Sequence, residues 1–177
     1  MSHVRIYHYH ITVECDREEL INFSKLLGAK ATTIDLHRDA RMQIDRMLTK
    51  YSTDLADMKS ITASHSTQIH ELGYEVKRAK IEEVLSTFVG IDIKDYLYLE
   101  AHIKVADDGH LPDVDGFSMS TNPFQGNRFY NARIYTEEDL VRYWRNIKYL
   151  PNIVKTQLEG VVYDSNQDHD KWWSNHE

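Results

Sequence analysis

A single cysteine, Cys15, serves the whole 177-residue chain, which rules out an intramolecular disulfide and any zinc site built on paired cysteines. Cys15 is therefore read as a structural thiol. Positive charge is also scarce. The 21 Lys and Arg stand against 28 Asp and Glu, for a net charge of -7, which excludes an extended nucleic-acid surface unless cations gather in one place. No apolar run reaches the ~18 residues of a spanning helix, and the opening MSHVRIYHYH has no secretion-signal core. A cytoplasmic protein with no membrane partner is the expectation. The chain contains no Gly-rich phosphate loop, nucleophile elbow or zinc ribbon. DSNQDHD near the end has neither the glycine nor the closing Glu of a calcium loop. At this length one sizeable core, or two small fused lobes, is the natural unit.

Alternation of apolar and polar residues supplies the strongest pattern. In VRIYHYHITVE, 4–14, Tyr7, Tyr9, Ile11 and Val13 oppose His8, His10 and Thr12, which marks a strand. Asp16 then precedes an acidic first turn and the series Leu20, Ile21, Phe23, Leu26, Leu27, closed by Gly28, which marks a helix. AKATTIDLH, 29–37, reads as a return strand, and a helix over about 53–72 ends at Gly73. Between them, 38–52 carries Arg38, Arg41, Arg46 and Lys50 and gives no decisive period. Strands follow at 74–84 and 96–106, and their nearness in sequence suggests that they pair. A turn-rich loop covers 107–127, with a short strand possible at FSMST. RFYNARIY is a strand, TEEDLVRYWRNIKYL a helix capped by Thr136, and 152–166 holds the closing strand. Trp172 and Trp173 in the polar tail are expected to dock onto the body.

HYHITV with DREEL resembles NARIY with TEEDL, a short internal repeat. The resulting expectation is an α+β fold: two ferredoxin-like βαβ halves, about 1–73 and 74–166 of a single domain, forming a largely antiparallel sheet. Helices would cover one face and leave a polar cleft on the other.

That face collects His8, His10, Thr12, Arg78, Lys80, Glu82, Glu100, His102 and Lys104, with Arg128 or Arg133 depending on register. Histidine favours neither surfaces nor strands, and three fall here. Cations on paired strands repel unless carboxylates or a bound anion neutralise them. Glu82 and Glu100 supply part of that charge, and a phosphate or carboxylate ligand would supply the rest. His65 and His70 on the polar helix are read as solvent-facing, and Tyr130, Tyr143, Trp144 and Tyr149 as packing residues.

His10-Ile11-Thr12 and His102-Ile103-Lys104 are two His-x-polar tripeptides on separate strands. In this the chain resembles the two-histidine phosphoesterases, with Lys104 standing where that family has a hydroxyl residue. The resemblance implies that His10 and His102 act as base and acid around a phosphodiester while Thr12 holds phosphate oxygens. His8 and His10 share a strand face, so they could instead hold a divalent metal with Glu82, Glu100 or His102. HITVECDREELINFSKLLGAK is similar to the opening module of the vicinal oxygen chelate proteins, which implies a metal-dependent enzyme. Arg78-x-Lys80-Ile81-Glu82, Glu100-x-His102-x-Lys104 and the VVYDSN ending resemble an uncharacterised family, and add Asp164 and Asn166 to the group.

The leading expectation is thus a cofactor-free phosphoesterase for a nucleotide or other small phosphorylated molecule. His10 and His102 are its catalytic pair; Thr12, Arg78, Lys80, Lys104 and Arg133 bind phosphate; Glu82, Glu100, Asp164 and Asn166 support them. The alternatives are a metal enzyme using His8, His10 and Glu100, and a non-catalytic binder of a small anionic ligand. The sequence sets no oligomeric state.

Overall fold

The computed structural model describes residues 3–38, 41–106, 109–122 and 125–169. The elements run β1 (Tyr7–Glu14), α1 (Arg17–Leu27), β2 (Lys30–Arg38), β3 (Arg41–Ser52), α2 (Leu55–Glu71), β4 (Glu75–Leu85), β5 (Tyr98–Val105), β6 (Ser118–Asn122), β7 (Asn127–Ile134), α3 (Glu137–Asn146) and β8 (Ile153–Asp164). Single 3-10 turns at Ile93–Asp95 and Ile147–Tyr149 complete the set. The expectation for Trp172 and Trp173 falls outside the described residues.

Local chemistry explains the helix ends. Asp16 caps α1 in a reciprocal box with Glu19, and Gly28 closes it in the left-handed region at φ 61°. Thr136 and Asp139 form the same box on α3. Asp54 caps α2 by accepting from the Asp57 N–H.

The open α+β sheet built from two ferredoxin-like halves is overturned. All eight strands close into one antiparallel barrel in the order β1-β3-β2-β6-β7-β5-β8-β4, with β4 pairing back onto β1. Alternation along a strand fixes which residues share a face, and says nothing about whether the sheet curls until its edges meet. Two seams complete the ring: β2 meets β6 over Asp35↔Thr121 to His37↔Met119, and β4 meets β8 from Lys80↔Asp164 to Leu85↔Leu158. Strand β8 thereby separates β4 from β5, which do not pair as their sequence proximity suggested. Strands β1 to β4 form one contiguous run and β5 to β8 the other, so 74–84 lies with the first run. In the ring β7 occupies the place in its run that β3 holds in the first, so the HYHITV and NARIY repeat relates non-equivalent strands.

The barrel is inverted in polarity. Its apolar face points outward, beneath helices and loops, and its polar face points inward. Outside β1, β3 and β4, residues Tyr9, Ile11, Leu48 and Ile81 pack against Leu20 and Phe23 of α1 and Met58 and Ile69 of α2. Outside β5 and β7, Leu99, Ala101, Ile103, Tyr130 and Ile134 pack against Tyr143 of α3 and against Phe88, Leu111 and Phe117 from the connections. Each such large side chain contributes ~1.5–3 kcal/mol on burial, so stability is concentrated outside the ring. His65 donates to or accepts from the Tyr9 hydroxyl at 2.8 Å, which corrects its solvent-facing assignment. Tyr130 and Tyr143 are buried as packing residues, whereas Trp144 and Tyr149 are exposed. Among the described residues no helix is long and apolar enough to cross a membrane.

Gly160 on β8 has a steric reason. The Tyr96 ring lies where its Cβ would be, and the Tyr96 hydroxyl is fixed by donating to Glu83 Oε2 at 3.0 Å. Gly160→Ala is expected to cost about 1–3 kcal/mol by overpacking, read from urea denaturation. In a Tyr96→Ala background the cost should vanish; an undiminished cost there would place its origin elsewhere.

A candidate metal centre in the barrel lumen

The inward positions of four adjacent strands meet at mid-barrel. They are His8 and His10 on β1, Lys80 and Glu82 on β4, Glu100 and His102 on β5, and Gln157 and Glu159 on β8. Registers His8↔Glu82, His10↔Lys80, Glu100↔Glu159 and His102↔Gln157 set them side by side. Glu82 and Glu159 are fully buried, and Glu100 and His8 nearly so.

Three carboxylates this close require positive charge, and the barrel provides it from every side. Lys80 contacts Glu82 and lies 2.5 Å from Glu100 Oε2. Arg133 Nη2 and Nε reach Glu100 Oε1 at 2.8 and 3.0 Å. His8 Nε2 stands 2.8 Å from Glu82 Oε2 and 3.1 Å from Glu159 Oε1, and His10 Nε2 stands 3.1 Å from Glu82 Oε2. His102 Nε2 lies 3.5 Å from Glu100 and 3.4 Å from Glu159. Gln157 adds an amide contact to Glu159.

Burial opposes ionisation at each of these groups, and the partners prevail at most of them. Burial would lower His8, but Glu159 and Glu82 outweigh it and raise its pKa to about 10. His102 is likewise held well above the ordinary value, against burial, by Glu100 and Glu159. His10 is the exception: burial lowers it despite Glu82, so it stays neutral. Against burial, Lys80 and Arg133 hold Glu100 below the usual carboxylate range, and Lys80 with the histidines does so for Glu82.

Proximity here is not the same as hydrogen bonding. Both ring nitrogens of His8, both Glu82 oxygens and Glu159 Oε2 are buried without a directed hydrogen bond. The Coulomb attraction persists at these distances whatever the angle, while the unaligned lone pairs remain available to a cation. Two donor sets emerge: His8, His10, Glu82 and Glu159, and Glu82, Glu100, His102 and Glu159, with the offered atoms of each set within 4.8 Å of one another. Donors around one ion at ~2.1 Å stand roughly 3–4 Å apart, so either set needs only small rotations to coordinate.

Beside this centre lies a cavity of about 380 Å³. His10, Thr12, Arg78, Lys80, Glu100, His102, Lys104 and Glu159 line it; His8, Glu82 and Arg133 sit behind its wall. His10 and His102 therefore share one cavity. The anion-binding set is redistributed: Arg78 is engaged with Asp164 at 2.9 and 2.6 Å and with the Tyr98 hydroxyl at 2.7 Å. Arg133, which the register turns inward, and Lys80 serve the glutamates. Among the four assigned cations only Lys104 forms no ion pair among the described residues. Asp164 supports Arg78, while Asn166 donates to the Lys77 carbonyl at 3.2 Å at the strand end, away from the cavity.

Glu159, Gln157 and Lys155 went unrecognised in the sequence. Their signal was the alternation Lys-x-Gln-x-Glu in β8. Thr49, which meets His10 Nδ1 at 2.9 Å, and Asn131, which meets His102 Nδ1 at 2.7 Å, have no such signal in isolation.

No protein-family model matches the chain, and no curated protein matches it. Two solved variants of chlorite dismutase from Candidatus Nitrospira defluvii resemble it. One has a TM-score of 0.33 at 8% identity over 96% of this chain and 95% of that one. The other has a TM-score of 0.32 at 10% identity over 94% of each. Likeness at that level assigns neither a site nor an activity.

The His8 imidazolium makes stability depend on pH. Its folded pKa is raised, so its contribution is complete below the ordinary value of 6.5 and is lost as pH rises through about 10. Metal-free protein should lose stability across that window, and His8→Asn should flatten this limb in denaturation series. An alkaline limb unchanged by the substitution would assign the loss to other groups.

Proposed function

We propose that the protein is a metal-dependent enzyme that holds one first-row divalent ion in its lumen, through His8, His10, Glu82 and Glu159, beside a cavity for a small molecule. The observation that carries this reading is the convergence of four nitrogen and oxygen donors within 4.8 Å, several of them buried without directed hydrogen bonds. Two imidazoles with two carboxylates suit manganese, iron or zinc better than calcium or magnesium. Metal ligands bind deprotonated, so the ion displaces the His8 proton and adds one net positive charge among the three carboxylates.

The surrounding residues fit the role of orienting partners. Thr49 on His10 Nδ1 turns Nε2 toward Glu82. Lys80 and Arg133 fix Glu100, and Lys80 also restrains Glu82. A bound ion would supply Lewis-acid polarisation of a substrate oxygen. His102, positively charged and facing the cavity from between Glu100 and Glu159, is placed to give a proton to a bound molecule. Asn131 holds its other nitrogen.

A second reading, metal-independent phosphoester chemistry by His10 and His102, is favoured by one observation: both rings line the same cavity. Turnover of a phosphodiester in excess chelator, lost in His102→Ala, would support it over the metal reading.

The primary test is elemental analysis of the purified protein together with its thermal response to divalent ions. About one equivalent per chain is expected, lost in His8→Ala and in Glu82→Gln while the circular dichroism of both variants stays that of the parent. Protein that retains no metal and gains no thermal stability from manganese, iron or zinc would overturn the proposal.

A further inference from the structure

Strands β5 and β8 place three inward rungs in succession: Glu100 opposite Glu159, His102 opposite Gln157, and Lys104 opposite Lys155. Two like-charged pairs thus frame a rung that sets the His102 imidazolium opposite the Gln157 amide. Directly opposed like charges on neighbouring strands repel, so each pair needs a counter-charge. The acidic rung has its own in Lys80 and Arg133. The lysine rung has none: neither Lys104 nor Lys155 forms an ion pair among the described residues, and both line the cavity. Lys30 lines the same cavity from β2, again without an ion pair among the described residues, in a chain whose net charge is -7. Three lysines line this one cavity, Lys104 half-buried and Lys155 and Lys30 exposed, against the charge of the whole molecule. Asn122, Asn127 and Phe129 line the cavity as well, and its carboxylates are those of Glu100 and Glu159 in the acidic rung and of Asp45, which pairs with His169.

We infer that the Lys104 and Lys155 rung is the seat of an oxyanion group, carboxylate or phosphate, on the small molecule that the cavity admits. Two residues of strand, about 7 Å, separate Lys104 from His102, so a molecule seated by its anionic end presents its remainder to His102 and the glutamate rung. That orientation toward the centre rests on the metal reading above; the anion seat does not. An ammonium pair recognises an oxyanion by charge and by several N–H donors without demanding one geometry, which admits carboxylate and phosphate alike.

Calorimetric titration of the full chain with inorganic phosphate and, separately, with succinate tests this, against sodium chloride at equal ionic strength. Phosphate and succinate distinguish the two sources of the oxyanion. At least one should bind above the chloride control, and Lys104→Gln or Lys155→Gln should weaken it about tenfold or more. Neither substitution should change the metal content. Because each removes a repulsion, ligand-free variants should melt at or above the parent temperature, so weakened binding cannot be attributed to unfolding. Phosphate and succinate indistinguishable from chloride, or binding undiminished in both variants, would overturn the inference, whatever the metal content. Protein that carries no metal yet binds an anion through these lysines keeps the seat and overturns only the metal reading and the orientation derived from it.

Discussion

Everything inside the barrel answers to one constraint: Glu82, Glu100 and Glu159 converge in a space with almost no water-accessible surface. Unneutralised carboxylates there would each cost several kcal/mol in lost hydration. Lys80 and Arg133 supply two fixed positive charges, and His8 and His102 supply two that are removable as protons. The distinction between fixed and removable charge gives the lumen its chemistry. A lumen balanced wholly by ammonium and guanidinium groups would be a static ion-pair core, whereas one balanced partly by imidazolium protons can exchange a proton for another cation.

The division between the two faces of the sheet follows from the same constraint. Large apolar side chains lie outside the ring under α1, α2, α3 and the long connections, so the lumen is not needed as a hydrophobic core. An eight-stranded ring is just wide enough to be filled by side chains or to hold one small ligand. Here both occur at different levels. The carboxylate and histidine belt fills the section where β1, β4, β5 and β8 meet, and a cavity remains beside it.

Much of the inward face was legible from alternation alone. The residues grouped from β1, β4 and β5 do share the lumen, because a period of two dictates a common side in any sheet. Closure was not legible, since curvature depends on the seams and not on the pattern within a strand. Strand β3 escaped notice for a related reason: its inward Asp45 and Thr49 and outward Arg46 and Lys50 are all polar, which erases the contrast that alternation needs. In β8 the exposed apolar pair Ile153 and Val154 and the unsubstituted Gly160 blur the Lys-x-Gln-x-Glu signal that leads to Glu159. The pairing of Arg78, Lys80 and Arg133 with carboxylates is a tertiary fact. Sequence shows that cations are present on a face, and only three-dimensional neighbours show which of them are already matched.

The seam between β4 and β8 also fixes an order in time. It joins Lys80 to Asp164, and β8 is the strand that brings Glu159 between Glu82 and Glu100. On a chain emerging from the ribosome this closing strand comes after the other seven, so the first run of strands must wait with its polar face wet and its edge unpaired. Contacts of such long sequence separation form slowly. The dry, charge-crowded interior is therefore the last part of the molecule to come into being, and any ion or small molecule resident there is acquired at the end of folding or afterwards, never during synthesis of the first half.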